Sequence, residues 1–386
     1  MSFAPIQTRE TTATMLGLGT AVPQHCVNRS ASANFATKTS CISPQESRKV
    51  QALYRRTGIE QRGSVLLNES AEHEVINDFY PPAETTQDRG PGTKSRNDRY
   101  RIEAPKLANQ AASRALAASG LAPEEITHLI TVSCTGFNSP GIDISLIDTL
   151  QLPFTTERVQ VGFMGCHAAI NGLRTARGLV ATNEHSKVLM CCVELCSLHY
   201  QYGLDTDRIV SNALFADGAA AMVLESSGND CSETETDEVF GRQDSALGSV
   251  QATGSFLVPN SRDSMTWCIG DHGYQMTLSA EVPNLIEQHL ADYLLNWLAG
   301  QGETIASVGG WAVHPGGSRI LSAVENAMPL AKDALSVSRG VLSDHGNMSS
   351  ATMLFILERF IAMNKPKPWL MLGFGPGLEI EVALIR

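Results

Sequence analysis

No run of apolar residues in this 386-residue chain approaches the roughly 18–20 that a membrane-spanning helix requires, so no span is expected. Positive charge is short: 29 Lys and Arg stand against 40 Asp and Glu, a net charge of -11. That balance gives no general attraction to polyanions and argues against nucleic acid or an anionic membrane surface as partner. The nine cysteines are odd in number and lack the dense, regular spacing of a secreted disulfide scaffold. Cys191 and Cys192 are adjacent, and most of the others sit in apolar runs where cysteine behaves as a small hydrophobe. The opening MSFAPIQTRETTATM has no charged segment followed by an apolar one, so no secretory leader is expected. A reducing, cytoplasmic location is expected.

A hydrophobic share of 43% and a charged share of 18% suit a globular chain with a large core. The length allows two ordinary domains or one large duplicated unit. TATMLGLGTAVP (12–23) reads as a strand running into a glycine turn, and 40–63 as a polar helical segment ending in LYRRTGIEQRG. Residues 81–99, rich in Pro, Gly and charge, read as a surface loop, followed by a helix over about 101–119. ITHLITVSC (126–134) and ERVQVGFMG are expected strands, GIDISLIDTL and 166–182 helices. KVLMCCVEL (187–195) is apolar throughout, as in a strand buried on both faces. DRIVSNALFADG reads as a helix closing in an Asp-Gly turn, followed by the strand AAAMVLES. The acidic, Ser/Thr-rich stretch 226–239 is the expected junction. Beyond it SVGGWAVH (307–314), helices near 317–327 and 348–361, and strands WLMLGF and EIEVALI repeat the α/β pattern. Two halves, 1–229 and 230–386, are expected, although no direct sequence repeat demonstrates duplication.

Three short stretches carry candidate chemistry. In GCHAAINGLRTARG, Cys166 falls where a strand gives way to a helix. Unpaired N–H groups and the positive end of the helix dipole there favour thiolate, whereas a buried core cysteine is the plain alternative. In WAVHPGGSRI, His314 ends an apolar strand before a sharp Pro-Gly-Gly turn, either projecting from the strand end or bonded structurally to backbone. In DHGNMSSATMLF, Asn347 precedes a helix and reads first as its N-cap. Taken together, a thiol, an imidazole to pair with it and an amide donor for a developing oxyanion make a coherent acyl-transfer site.

The order Cys166, His314 in HPGG and Asn347 in GNMSS, with GFGPG (373–377) near the C-terminus, resembles the type III polyketide synthases. These are the chalcone synthase-like members of the thiolase superfamily, and the likeness is closer to bacterial than to plant members. It runs from LGLGTAVP through CTGFNSPGID and NALFADGAA to the end of the chain. Each motif is weak alone; the ordered set is specific. The resemblance implies an α/β chain of thiolase-like, duplicated five-layer αβαβα architecture, assembled as a homodimer. It implies no metal or redox cofactor, with malonyl-CoA and an acyl-CoA starter as substrates. Cys166 would hold the starter and growing chain as a thioester, and His314 would form an ion pair with its thiolate. His314 and Asn347 would bind the thioester carbonyl of malonyl-CoA and stabilise the enolate left when carbon dioxide departs. That enolate would attack the Cys166 thioester in a Claisen condensation, repeated before cyclisation.

The resemblance also assigns Phe215 as an aromatic gatekeeper between a CoA tunnel and the cavity, a plain core aromatic being the other reading. Met276 falls where the family usually has a second aromatic. Arg55, Arg56 and Arg62 fall where the family holds the CoA phosphates, or form a solvated basic face. Cys134, Ser139, His199, Trp267, Gly375 and Pro376 are expected around the cavity, Ser139 reaching across the dimer interface; His199 could equally be structural. Small Ser139 and flexible Met276 favour a fatty acyl starter and an alkylpyrone or alkylresorcinol product. Cys134 and bulky Trp267 keep open a malonyl-primed route to a tetrahydroxynaphthalene. A ketoacyl-ACP synthase III-like enzyme would share the Cys-His-Asn set but not HPGG. Cys192, Cys196 and His199 could be imagined as zinc ligands, but they lie on a strand and its exit.

Overall fold

The computed structural model describes residues 12–41, 43–69, 75–227 and 246–386. Along Lys187–Leu195 the side chains of Leu189, Cys191 and Val193 enter one apolar cluster, and those of Val188, Met190 and Cys192 enter another. That alternation is the period of a strand covered on both faces, and it organises the molecule.

The strands are β1 (Thr12–Ala21), β2 (Cys26–Asn28), β3 (Gln61–Gly63), β4 (Leu67–Glu69), β5 (Val75–Asn77), β6 (His128–Ser133), β7 (Glu157–Gly162) and β8 (Lys187–Leu195). They continue as β9 (Asp217–Ser227), β10 (Gly248–Leu257), β11 (Met265–Gly270), β12 (Gly273–Leu278), β13 (Gly310–Val313), β14 (Trp369–Gly375) and β15 (Glu379–Ile385). The helices are α1 (Arg29–Ser40), α2 (Pro44–Arg56), α3 (Thr93–Ser119), α4 (Ile142–Leu150), α5 (Ala168–Thr182) and α6 (Thr206–Leu214). Four more follow: α7 (Val282–Gly300), α8 (Ser318–Ala327), α9 (Ser336–His345) and α10 (Thr352–Ala362).

Nine strands form one sheet in the order β13-β14-β15-β10-β1-β9-β8-β6-β7. β6, β8, β9 and β1 pair in turn parallel, antiparallel and antiparallel; so do β13, β14, β15 and β10. Each half therefore lays down its strands in the same chain order and pairing, and the halves join edge to edge where Ala13 meets Val250. The duplication absent from the letters is present in the topology.

Three apolar clusters separate five layers. One lies between α3 and the outer face of the first half, another between α7 and α8 and the outer face of the second. The third buries α5 and α10 between the inner faces of the two halves of the sheet. Gly17 and Gly19 in LGLGT lie under α3, where an added Cβ would overlap the backbone of Ala115 and Ala111. Glycine lets strand and helix approach that closely.

Two sequence expectations need correction. The loop expected over 81–99 gives way to α3 at Thr93, eight residues before the helix predicted near 101. The Thr93 N–H donates to Asp271 O at 2.8 Å, and buried Arg96 donates to Leu198 O at 2.9 Å and Tyr200 O at 2.8 Å. Tertiary carbonyls thus hold a polar stretch that has no helical apolar period of its own. Asp217-Gly218 is no turn: it opens β9, and the buried Asp217 carboxylate accepts from the N–H groups of Val65 and Ser197, each at 2.8 Å. Most of the expected junction, from 228 onward, lies outside the described residues.

Candidate active site

Between the end of β7 and the start of α5, residues 163–167 make the turn that presents Cys166. Gly165 has φ +84 and lies against Pro376, where a Cβ would overlap the proline ring, so the position requires glycine. Phe163 adopts φ +58, uncommon for a bulky residue, with its ring stacked on Phe137 at 5.0 Å between centroids. The Gly165 N–H donates to Cys134 Sγ at 3.2 Å.

Cys166 itself is half-buried. The helix end favours thiolate, but burial wins: it pushes the thiol up to about 11, against hydrogen bonds from Ser349 and Asn347 that lower it. Only the thiolate alkylates, so modification of Cys166 by iodoacetamide should accelerate about tenfold per pH unit between roughly pH 7 and 10. Peptide mass spectrometry would measure this, and a rate already level below pH 7 would reveal a preformed thiolate instead.

Asn347 arrives from the second half of the chain. Its N–H donates to Leu214 O and its carbonyl accepts from the Ala216 N–H, both at 2.9 Å, clamping it alongside Phe215. Its Oδ1 accepts from the Ser349 N–H at 2.8 Å, and its Nδ2 lies 3.9 Å from Cys166 Sγ. Asn347 is therefore not the helix N-cap that the sequence suggests. It closes a local turn ahead of the short 3-10 segment Ser349–Ala351, and α10 begins only at Thr352.

His314 follows β13, its N–H donating to Leu372 O at 2.8 Å. It is 1% exposed, and among the described residues neither ring nitrogen has a hydrogen-bond partner. Burial, and then the charge of His167, push its imidazole down to about 3. Among the described residues no hydrogen bond joins Cys166 and His314, and burial moves thiol and imidazole in opposite directions, each toward its neutral form.

A small cavity beside Cys166 is walled by Cys134, Cys196, Phe215, Trp267, Met276, Ser349 and Pro376 among others. Trp267 faces Met276 across the β11–β12 pair, and its Nε1 donates to Cys134 O at 2.8 Å. Cys196, Phe215 and Trp267 also wall a second, larger cavity, which passes His199 and Tyr80 to Val27 and exposed Ala31. His199 is both lining and structural. Its Nε2 donates to Thr135 O at 2.7 Å, its Nδ1 accepts from the Tyr274 N–H at 3.0 Å, and burial pushes it down to about 3.

Ser139 is exposed and walls neither cavity of its own chain, while the reach expected of it is across a dimer interface. Gly375 packs on the His167 ring rather than lining the chamber. The three arginines diverge. Arg55 borders a groove with Arg29 and Glu60, and Arg56 borders another with Arg319 and Gly316. Arg62 turns inward onto the carbonyls of Asn212 and Phe215. Cys192 points into the central layer, away from His199, so the imagined zinc set does not converge.

Cys196 and Ser349 carry no local sequence signal for lining the chamber. Buried Glu194, beside wall residues Cys134 and Thr135, does stand out, as the one acid in an apolar strand: burial pushes its carboxyl up to about 7, and it accepts from Ser350 Oγ at 2.5 Å, Thr135 Oγ1 at 2.8 Å and the Cys134 N–H at 3.0 Å.

A half-buried thiol at a strand-to-helix turn, faced by an amide donor on a duplicated α/β scaffold, defines a condensing enzyme of the thiolase-like class. Residues 2–228 match the profile of the chalcone and stilbene synthases, N-terminal domain, and residues 249–386 that of their C-terminal domain. The chain belongs to this family, the type III polyketide synthases, enzymes that use malonyl-CoA and acyl-CoA. A relative from Mycobacterium tuberculosis, described as alpha-pyrone synthesis polyketide synthase-like Pks18, is 28% identical over 376 residues, 96% of this chain and 90% of its own. The crystal structure of PKS-I from the brown alga Ectocarpus siliculosus superposes with a TM-score of 0.85 at 28% identity, covering 99% of this chain and 100% of that one. The C-terminal type III polyketide synthase domain of Steely1, a type I/III hybrid from Dictyostelium, gives 0.83 at 26% identity, covering 97% and 99%. Among the described residues no helix is long and apolar enough to cross a membrane.

Proposed function

We propose that this enzyme loads a fatty acyl group onto Cys166, extends it with malonyl-CoA and releases an alkylpyrone or alkylresorcinol. The observation that carries this reading is the pair of cavities meeting at Cys196, Phe215 and Trp267. The small chamber suits the reacting thioester and the short polyketide. The larger, apolar-walled cavity leads away from the nucleophile and can bury an alkyl tail, at about 0.8 kcal/mol per methylene. The relative described as synthesising alpha-pyrones supports the same reading.

During loading, His314 takes the Cys166 proton as sulfur attacks the acyl-CoA carbonyl and CoA leaves. During extension, His314 and Asn347 donate hydrogen bonds to the malonyl thioester oxygen as carbon dioxide departs. The groove bordered by Arg56, Arg319 and Gly316 is the approach for CoA, with arginine forks for phosphate oxygens. We place the reaction in the reducing cytoplasm, with a homodimer as the working unit.

Trp267 favours a second reading, in which the narrowed chamber makes a compact aromatic from malonyl-CoA alone. Acyl-CoA starters of graded length decide between them, with products read by mass spectrometry. Product is expected only with an acyl starter, with kcat/KM rising with chain length. Ala31→Trp, at the outer mouth of the larger cavity, should lower kcat/KM for a sixteen-carbon starter about tenfold or more and leave a six-carbon starter unchanged. Product from malonyl-CoA alone would overturn the fatty acyl reading in favour of the second.

A further inference from the structure

An alkyl tail in the larger cavity would leave two hydroxyls of its wall unused. Four others there are already committed to the protein. Tyr80 donates to Ser197 O at 2.9 Å, and Tyr200 Oη and Ser40 Oγ are hydrogen-bonded at 3.0 Å. Ser64 Oγ donates to Ser197 Oγ at 2.7 Å, and Ser197 Oγ to Asp217 Oδ2 at 2.6 Å. Ser32 on α1 and Ser211 on α6 differ. They line the same cavity and are 4% and 8% exposed, yet among the described residues neither hydroxyl has a hydrogen-bond partner. The two helices that carry them are in contact.

A buried hydroxyl without a partner is unfavourable, and the helices do not need serine at these positions, since alanine is the better helix former. The rest of the wall, with Val27, Phe35, Leu67, Phe215 and Trp267, is what a hydrocarbon chain requires. Arg62 brings a charge to that wall, but it is turned onto the carbonyls of Asn212 and Phe215. Among the described residues no carboxylate or amine lines the cavity. The partner that fits is therefore neutral, and a hydroxyl can both accept from a serine and donate to it.

Ser211 also sets the place of that partner along the tail. The Phe215 N–H donates to the Ser211 carbonyl at 3.1 Å, and Phe215 stands where the two cavities meet. Ser211 is thus one helical turn, roughly 6 Å, from that meeting point. A group that reaches it belongs to the part of the tail just past the partition rather than to the far end.

We propose that the preferred starter carries a hydroxyl within its chain, and that Ser211, with Ser32, is the specificity-determining residue that reads it. This rests on the fatty acyl reading given above. A plain tail leaves both serines bare, whereas a hydroxylated tail pairs with them. The bond is remote from the reacting carbonyl and equal in ground and transition states, so it acts on KM and leaves kcat.

The test uses twelve-carbon acyl-CoA starters hydroxylated at successive positions, each compared with plain dodecanoyl-CoA. A hydroxyl in the inner half of the chain should raise kcat/KM about threefold to tenfold through KM, the worth of one hydrogen bond. A hydroxyl at the far end should give no such gain. In Ser211→Ala the ratio of hydroxylated to plain starter should fall to about one, while Ser211→Thr, which keeps the hydroxyl, should retain the preference. Ser32→Ala should lower the same ratio, which covers a Ser211 variant that fails to fold. Equal kcat/KM for plain and hydroxylated starters at every position would overturn the proposal and leave the fatty acyl reading intact. So would a preference that survives both alanine variants. Product from malonyl-CoA alone, with no acyl starter accepted, would overturn the two together.

Discussion

Alanine in place of Cys166 is expected to end polyketide formation, a loss of at least about 10³-fold, while part of the malonyl-CoA decarboxylation persists. The two reactions separate because they use different atoms. Condensation requires a sulfur to carry the acyl group, and Cys134 and Cys196, which also wall the chamber, cannot substitute for it. Both are buried, and burial holds both thiols well above their usual range. Decarboxylation requires donors to the thioester oxygen, and His314 and Asn347 survive the change. The substitution removes one atom from a half-buried turn whose shape is set by Gly165 and Phe163, so the fold should be unaffected. Product analysis by mass spectrometry, beside an assay for acetyl-CoA, reads both reactions in one experiment. Full condensation activity in Cys166→Ala would dismiss the nucleophile.

Asn347→Ala should give the complementary result. Decarboxylation is expected to fall about 10²- to 10³-fold, the usual loss when one preorganised oxyanion donor is removed. Loading should survive: incubation with an acyl-CoA should still add the acyl mass to the protein, because Cys166 remains. The backbone bonds from Asn347 to Leu214 and Ala216 do not depend on the side chain and hold Phe215 in place. The side chain does accept from the Ser349 N–H, so a stability cost of about 1 kcal/mol is expected. A thermal melt lowered by a few degrees, with loading intact, separates that cost from the catalytic effect. Loss of loading equal to the loss of decarboxylation would mean that Asn347 shapes the nucleophile rather than the malonyl thioester.

Much of this enzyme is local enough to read from its letters. The strand-to-helix turn at Cys166, the strand end at His314 and the buried run Lys187–Leu195 are set by neighbours in the chain, and they fell where the alternation put them. What sits across the fold was not legible. Thr93 to Arg99 are helical because carbonyls from β11–β12 and from residues 198–200 hold them, which no periodicity records. Cys196 lines both cavities, since residues far apart in the chain build the walls. The thiolate at Cys166 was the natural reading of a helix end, because the dipole is a property of the segment. The burial that opposes it belongs to the packed site. His167 stood inside the motif and stayed silent, its partners Glu379 and Glu381 lying more than 200 residues away. The sequence by itself determined most of the elements and the three candidate catalytic side chains, because these depend on short-range pattern and order. Only the tertiary structure decided their protonation, the shape of the cavities and which buried charges meet, because desolvation and contact arise only when distant segments pack.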